Sequence, residues 1–172
     1  MACEICELIG GRKHIVYEDE KVVAMLSTRP AAMGHILVMP KSHYSIVEQA
    51  PDYIVNHLFK IVNKISMVVF EVLKVHGTNV IVTNGVAAGQ RFNHFIVNII
   101  PRMQDDGLNF QWQPKQLTEE EMSTVELQVK EQTKNIGGFE REPEKPVEIE
   151  EKKEVLPADE DNYLTKQLRR IP

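Results

Sequence analysis

Two features of this chain carry residue types that could do chemistry. The first is Cys3-Glu4-Ile5-Cys6. A Cys-x-x-Cys pair brings two thiolates to one turn, which is half of a tetrahedral zinc site. The other two ligands must come from elsewhere in the fold. The competing reading is a pair of inert or redox-active thiols. The second is the stretch His94-Phe95-Ile96-Val97-Asn98-Ile99-Ile100-Pro101-Arg102, which alternates as a half-buried strand does. Phe95, Val97 and Ile99 would face a core, leaving His94, Ile96 and Asn98 on the other side. Just before it, the loop Asn84-Gly85-Val86-Ala87-Ala88-Gly89-Gln90 could present backbone N–H groups to a phosphate.

Several elements must position these groups. Val22–Leu26 and His35–Met39 read as strands, joined through Pro30 and Gly34. Pro51-Asp52 opens a long helical pattern, with Ile54, Leu58, Ile61, Val62, Ile65, Val68, Val69, Val72 and Leu73 at spacings of three and four. Gly77 is placed to end it. Asn79–Thr83 is a further strand, and the alternation of Leu108, Phe110 and Trp112 suggests one more after the His94 strand. Strands, one long helix and strands again predict an α+β fold, an antiparallel sheet with the helix on one face.

The chain has 172 residues, 42% hydrophobic, and a net charge of −5. Residues 1–113 hold ten acidic and ten basic side chains, so the whole excess lies beyond them. No clustered basic footprint points to nucleic acid. No apolar run is long enough for a membrane span, and the N-terminus lacks the pattern of a secretion signal. A cytoplasmic location is expected. After the core, Thr118-Glu119-Glu120-Glu121 forms a capping box before a helix that Gly137-Gly138 stops. Glu140–Asp161 holds ten acidic residues and three prolines, too polar to order itself. Tyr163, Leu164, Leu168 and Ile171 then suggest a short amphipathic docking segment. The division is 1–115 for the core domain, 116–138 for the helix and 139–172 for an acidic linker and tail.

The order of Cys3-x-x-Cys6, Gly34-His35-Ile36-Leu37-Val38-Met39-Pro40-Lys41-Ser42-His43, Asn84-Gly85, Ala88-Gly89-Gln90 and Ile99-Ile100-Pro101-Arg102 resembles the histidine-triad (HIT) family. The resemblance covers roughly residues 3–113. It implies a HIT-like fold and a homodimer formed through the long helix and an adjacent strand. It also implies a zinc ion held by Cys3, Cys6, His43 and His94. The family's three triad positions fall on His94, Ile96 and Asn98. Its nucleophile, a histidine that forms a covalent nucleotidyl intermediate, is replaced here by Ile96, which has no such chemistry. Asn98 can donate a hydrogen bond but cannot act as an acid. His35 lies behind the strand, where its expected role is that of a buried histidine satisfied by backbone.

Nucleotide contacts would fall to Ser27, Asn84, Gly89, Gln90 and Asn98, between apolar walls at Leu26, Ile36 and Val38. Ser27 is a short partner for ribose hydroxyls, and the resemblance implies a phosphate contact from Gln90. The expectation is a degenerate HIT-fold zinc-binding protein, catalytically inactive or very weak. It would act as a module that binds a purine nucleotide, or a protein partner through its tail. The rival is an active nucleotide phosphoramidase, hydrolase or nucleotidyltransferase with a rearranged site.

Overall fold

Alternation in the strands decides the architecture, because each strand of the central sheet offers apolar side chains to both faces. The computed structural model describes residues 3–134 and 136–137. The acidic linker and amphipathic tail expected over 139–172 lie outside the described residues. Five strands, β1 (Ile15–Glu18), β2 (Val22–Leu26), β3 (Ile36–Pro40), β4 (Gly77–Val82) and β5 (Val97–Arg102), form one antiparallel sheet in the order β1-β2-β3-β5-β4. β3 is buried along its whole length, as expected of a strand covered on both sides.

On one face, Val22, Ala24, Ile36, Val38, Val97 and Ile99 pack against Ile54, Leu58, Val62 and Val69 of the helix α2 (Asp52–Leu73). Phe95 joins this cluster, so the inward set read from the sequence is the observed one. On the other face, Val23, Met25, Leu37 and Met39 surround Ile5 of a short helix α1 (Glu4–Gly10). Ile5 is fully buried, which contributes about 2 kcal/mol toward seating a helix too short to stand alone. The two-sided sheet therefore leaves α2 behind and α1 in front.

Three expectations need correction. Helix α2 ends at Leu73, capped by Lys74 in the left-handed region (φ 53°), and Gly77 opens β4 instead. The segment at Leu108–Trp112 forms no strand; the Leu108 carbonyl, which a ladder would use, accepts from the Arg102 guanidinium instead. β1 was not anticipated, because Ile15–Glu18 is too short to show a period. The capping box at Thr118 is present, and α3 (Glu119–Thr133) follows with no buried residue. Gly34 takes φ +81° in the turn before β3, and a Cβ there would sit 2.4 Å from Leu73 Cδ1.

Candidate metal centre and binding cavity

Helix α1 places Cys3 and Cys6 three residues apart, so both thiols lie on one face. They face the irregular segment just before β5, where His94 is 1% exposed. The His94 Nε2–H donates to the Pro40 carbonyl at 3.0 Å. That bond fixes the tautomer and leaves Nδ1 bare. Nδ1 stands 3.7 Å from each sulfur, and His43 Nδ1 stands 3.6 Å from Cys6 Sγ. Zn–S and Zn–N bonds of ordinary length, set tetrahedrally, put sulfur and nitrogen about 3.6 Å apart. All four ligand atoms lie within 4.8 Å of one another, so the donor set fits a metal ion of that kind.

The electrostatics agree with this fit. Burial pushes the His94 imidazole down, helped by His43 and opposed by the Pro40 bond, so the ring stays neutral, as a ligand must. Burial and the adjacent Cys3 thiol push the Cys6 thiol up. A cation between the sulfurs would reverse that effect. His94 thus joins Cys3, Cys6 and His43 in one cluster, as the sequence suggested.

Beside this centre, across the front of the sheet, lies a cavity of about 410 Å³. Its floor includes Ile96, Asn98 and Ile100 from the β5 stretch, with His35 and Leu37 alongside. Ile96 packs against the α1-side cluster, as do Leu8 and Phe92. The position that could have held a reactive group has become part of a hydrophobic wall.

Both cavity histidines have both ring nitrogens engaged. His35 Nδ1 accepts from the Ala31 amide at 3.1 Å, and Nε2 lies 3.2 Å from Asn98 Oδ1. With Nδ1 accepting, Nε2 carries the proton and donates to Asn98. His35 is thus satisfied by backbone on one side, as expected, and by Asn98 on the other. Burial pushes its imidazole down, with the Asn98 bond opposing. Asn98 Nδ2 in turn donates to the Ile81 carbonyl at 3.3 Å. His94 is spent between Pro40 and the sulfurs.

The remaining sequence candidates divide. Ser27 and Gly89 line the cavity. Asn84 does not: its Nδ2 donates to both oxygens of Glu48 at 2.9 and 3.0 Å. Gln90 lines it, yet its amide braces the loop. Nε2 donates to the Ser45 and Phe92 carbonyls at 2.6 and 2.8 Å, and Oε1 accepts from the Gly85 amide at 2.6 Å. Gln90 thereby holds Gly89 and Arg91 in place.

Sequence reasoning missed Arg29, Arg91 and Phe110, which also line the cavity. Arg91 was readable as the neighbour of Gln90. Phe110 carried no sequence signal, because an arginine clamp puts it there. Arg102 donates to both Asp106 oxygens at 2.6 and 2.8 Å, to Asn79 at 2.6 Å and to the Leu108 carbonyl at 2.5 Å. Its guanidinium lies 5.3 Å from the Phe110 ring centre. The Arg102 hydrogen bonds and two backbone amides hold the Asp106 carboxyl far below the usual carboxylate range.

Known proteins share this fold. The HIT domain model matches residues 11–105. An uncharacterized HIT-like protein of Methanocaldococcus jannaschii is 40% identical over 107 residues, 61% of this chain and 82% of the relative. The crystal structure of a HIT family member from Bacillus subtilis superposes with a TM-score of 0.71 at 30% identity, covering 76% of this chain and 96% of that one. A Zn-bound histidine triad family protein from Mycobacterium smegmatis gives a TM-score of 0.60 at 28% identity, covering 78% and 97%. The family model spans more than half of the chain, and the fold agrees with it: this chain belongs to the HIT domain family.

Proposed function

We propose that this protein is a zinc-holding HIT-fold binding module that binds a purine nucleotide without covalent turnover. One observation carries the proposal. The two imidazoles that line the cavity have all four ring nitrogens committed, and Ile96 stands where the family's nucleophile would be. No lone pair is left to attack phosphorus. The mixed wall of Leu37, Phe92 and Phe110 with Ser27, Thr83 and Asn98 suits a ligand with an aromatic part and hydroxyls.

Zinc is the metal that two thiolates and two neutral imidazoles favour, and the Zn-bound relative supports that choice. Its role here is structural. Four protein ligands leave no open position for substrate, and the ion would tie α1 to the start of β5. A reducing, cytoplasmic setting keeps both thiols available.

A homodimer completes the proposal. Helix α2 exposes Phe59, Met67, Phe70 and Val72, and Val80 on the edge strand β4 is exposed too. An apolar surface of that kind marks an interaction face.

The test is to titrate AMP and GMP into the zinc-loaded protein and to incubate it with an adenosine phosphoramidate. Saturable heat with no product above buffer is expected. Hydrolysis at a rate typical of enzymes would overturn the non-catalytic reading, and absence of heat at millimolar nucleotide would overturn nucleotide binding.

A further inference from the structure

The cavity wall carries two formal charges, Arg29 and Arg91, and no carboxylate among its lining residues. Both side chains are exposed at the rim. Neither guanidinium makes an ion pair or hydrogen bond among the described residues. The other two described arginines behave differently. Arg12 pairs with Glu18, and Arg102 pairs with Asp106. The chain as a whole is acidic, with a net charge of −5. An acid-free cavity bearing two guanidiniums without a partner among the described residues is thus set in a stretch, residues 1–113, whose acidic and basic side chains balance.

We infer that the cavity selects a polyanionic phosphate ester, such as a nucleoside di- or triphosphate, and holds its phosphates at Arg29 and Arg91 rather than at position 96. This rests on the cavity being the binding site proposed above. At position 96 a phosphate oxygen would be stripped of water against Ile96, Leu8 and Phe92, a costly burial of charge. At the rim the same oxygens keep part of their hydration. They also accept charge-assisted, bidentate bonds from planar guanidiniums. Gln90 braces the loop so that Arg91 projects from a fixed backbone. Affinity should therefore grow with the number of phosphates, whereas a site built around one nucleophile would favour the α-phosphate alone.

The experiment compares adenosine, AMP, ADP, ATP and inorganic tripolyphosphate by calorimetry on the zinc-loaded full chain, at low and raised salt. Affinity is expected to rise from adenosine to ATP, and the ATP term to weaken as salt screens the rim. Arg91→Gln and Arg29→Gln should each lower ATP affinity on the order of tenfold, the loss of one charged hydrogen-bonding partner. Each should also reduce the ATP-to-adenosine ratio. Lys60→Gln, on the exposed side of α2, should leave that ratio unchanged. Equal affinity for adenosine and ATP, unmoved by either arginine substitution, would overturn this inference and leave nucleotide binding standing. Heat from tripolyphosphate with none from adenosine, AMP, ADP or ATP would overturn both, leaving only an inorganic anion site. No heat from any of the five would end both.

Discussion

Replacing His94 with alanine should be the most damaging single change at the metal centre, and its cost can be worked from the contacts. His94 is 1% exposed and makes two commitments. Its Nε2–H satisfies the Pro40 carbonyl. Truncation orphans that buried acceptor, at about 2 kcal/mol. Its Nδ1 faces both sulfurs. Losing it removes one donor of the candidate metal site, and a metal ion bound there, with free metal at about a hundred times Kd, would stabilise the fold by about 2.7 kcal/mol. The sum is about 5 kcal/mol, a large share of a small domain's stability. Urea unfolding with and without a strong chelator separates the two terms. Wild-type protein should lose about 2.7 kcal/mol on chelation, and His94→Ala should lose almost nothing further. If chelator leaves the wild-type midpoint unchanged, the metal half of this reasoning is wrong. If it destabilises the variant as much as the wild type, His94 is not a ligand.

Three other outcomes follow from the structure. Ile96→His places an imidazole at the family's nucleophile position, but with the phosphates held at the rim, mass spectrometry after incubation with an adenosine phosphoramidate should find an unmodified protein; an adenylylated mass would show that an α-phosphate does reach position 96. Asp19 supplies a pH dependence. Burial pushes its carboxyl up, but bonds from His57, the Lys21 and Val22 amides and Tyr17 together outweigh it and set its pKa at about 2, against a usual 3.8. The stabilisation is therefore complete above pH 4 or so and fades as pH falls toward 2, for a loss of about 2 kcal/mol; Asp19→Asn should flatten that limb of the stability profile, and an unchanged limb would assign it to other groups. Gly34→Ala forces a Cβ into φ +81° and toward Leu73 Cδ1, so a loss of about 1–2 kcal/mol is expected. Adding Leu73→Ala should relieve the clash but not the backbone strain, and a full rescue by it would show the strain to be negligible.

Much of the fold was legible because its signals are local. The apolar spacing of Ile54, Leu58, Val62 and Val69 is the buried face of α2. The alternation of Phe95, Val97 and Ile99 is the sheet's helix-facing side. Cys3 and Cys6 announced themselves by residue type, and the motif order in the strands and loops pointed to His43 and His94 as their partners. At position 96 the sequence shows an isoleucine where the family resemblance implies a histidine.

What the sequence could not reveal depends on which groups meet and which hydrogen bonds they consume. By position, Asn84 and Gln90 are candidates for a phosphate contact. The fold spends one on Glu48 and the other on bracing its own loop. Phe110 enters the cavity wall only because Arg102 grips Asp106 and the Leu108 carbonyl. Arg29 and Arg91 are sixty-two positions apart in the chain, and only the sheet brings them to one rim with no carboxylate between them. Residue type and spacing determined the elements and the thiol pair, since those are properties of short stretches. The tertiary structure decided which polar atoms remain free to meet a ligand, since a hydrogen bond is consumed by whichever partner the fold brings within 3 Å or so.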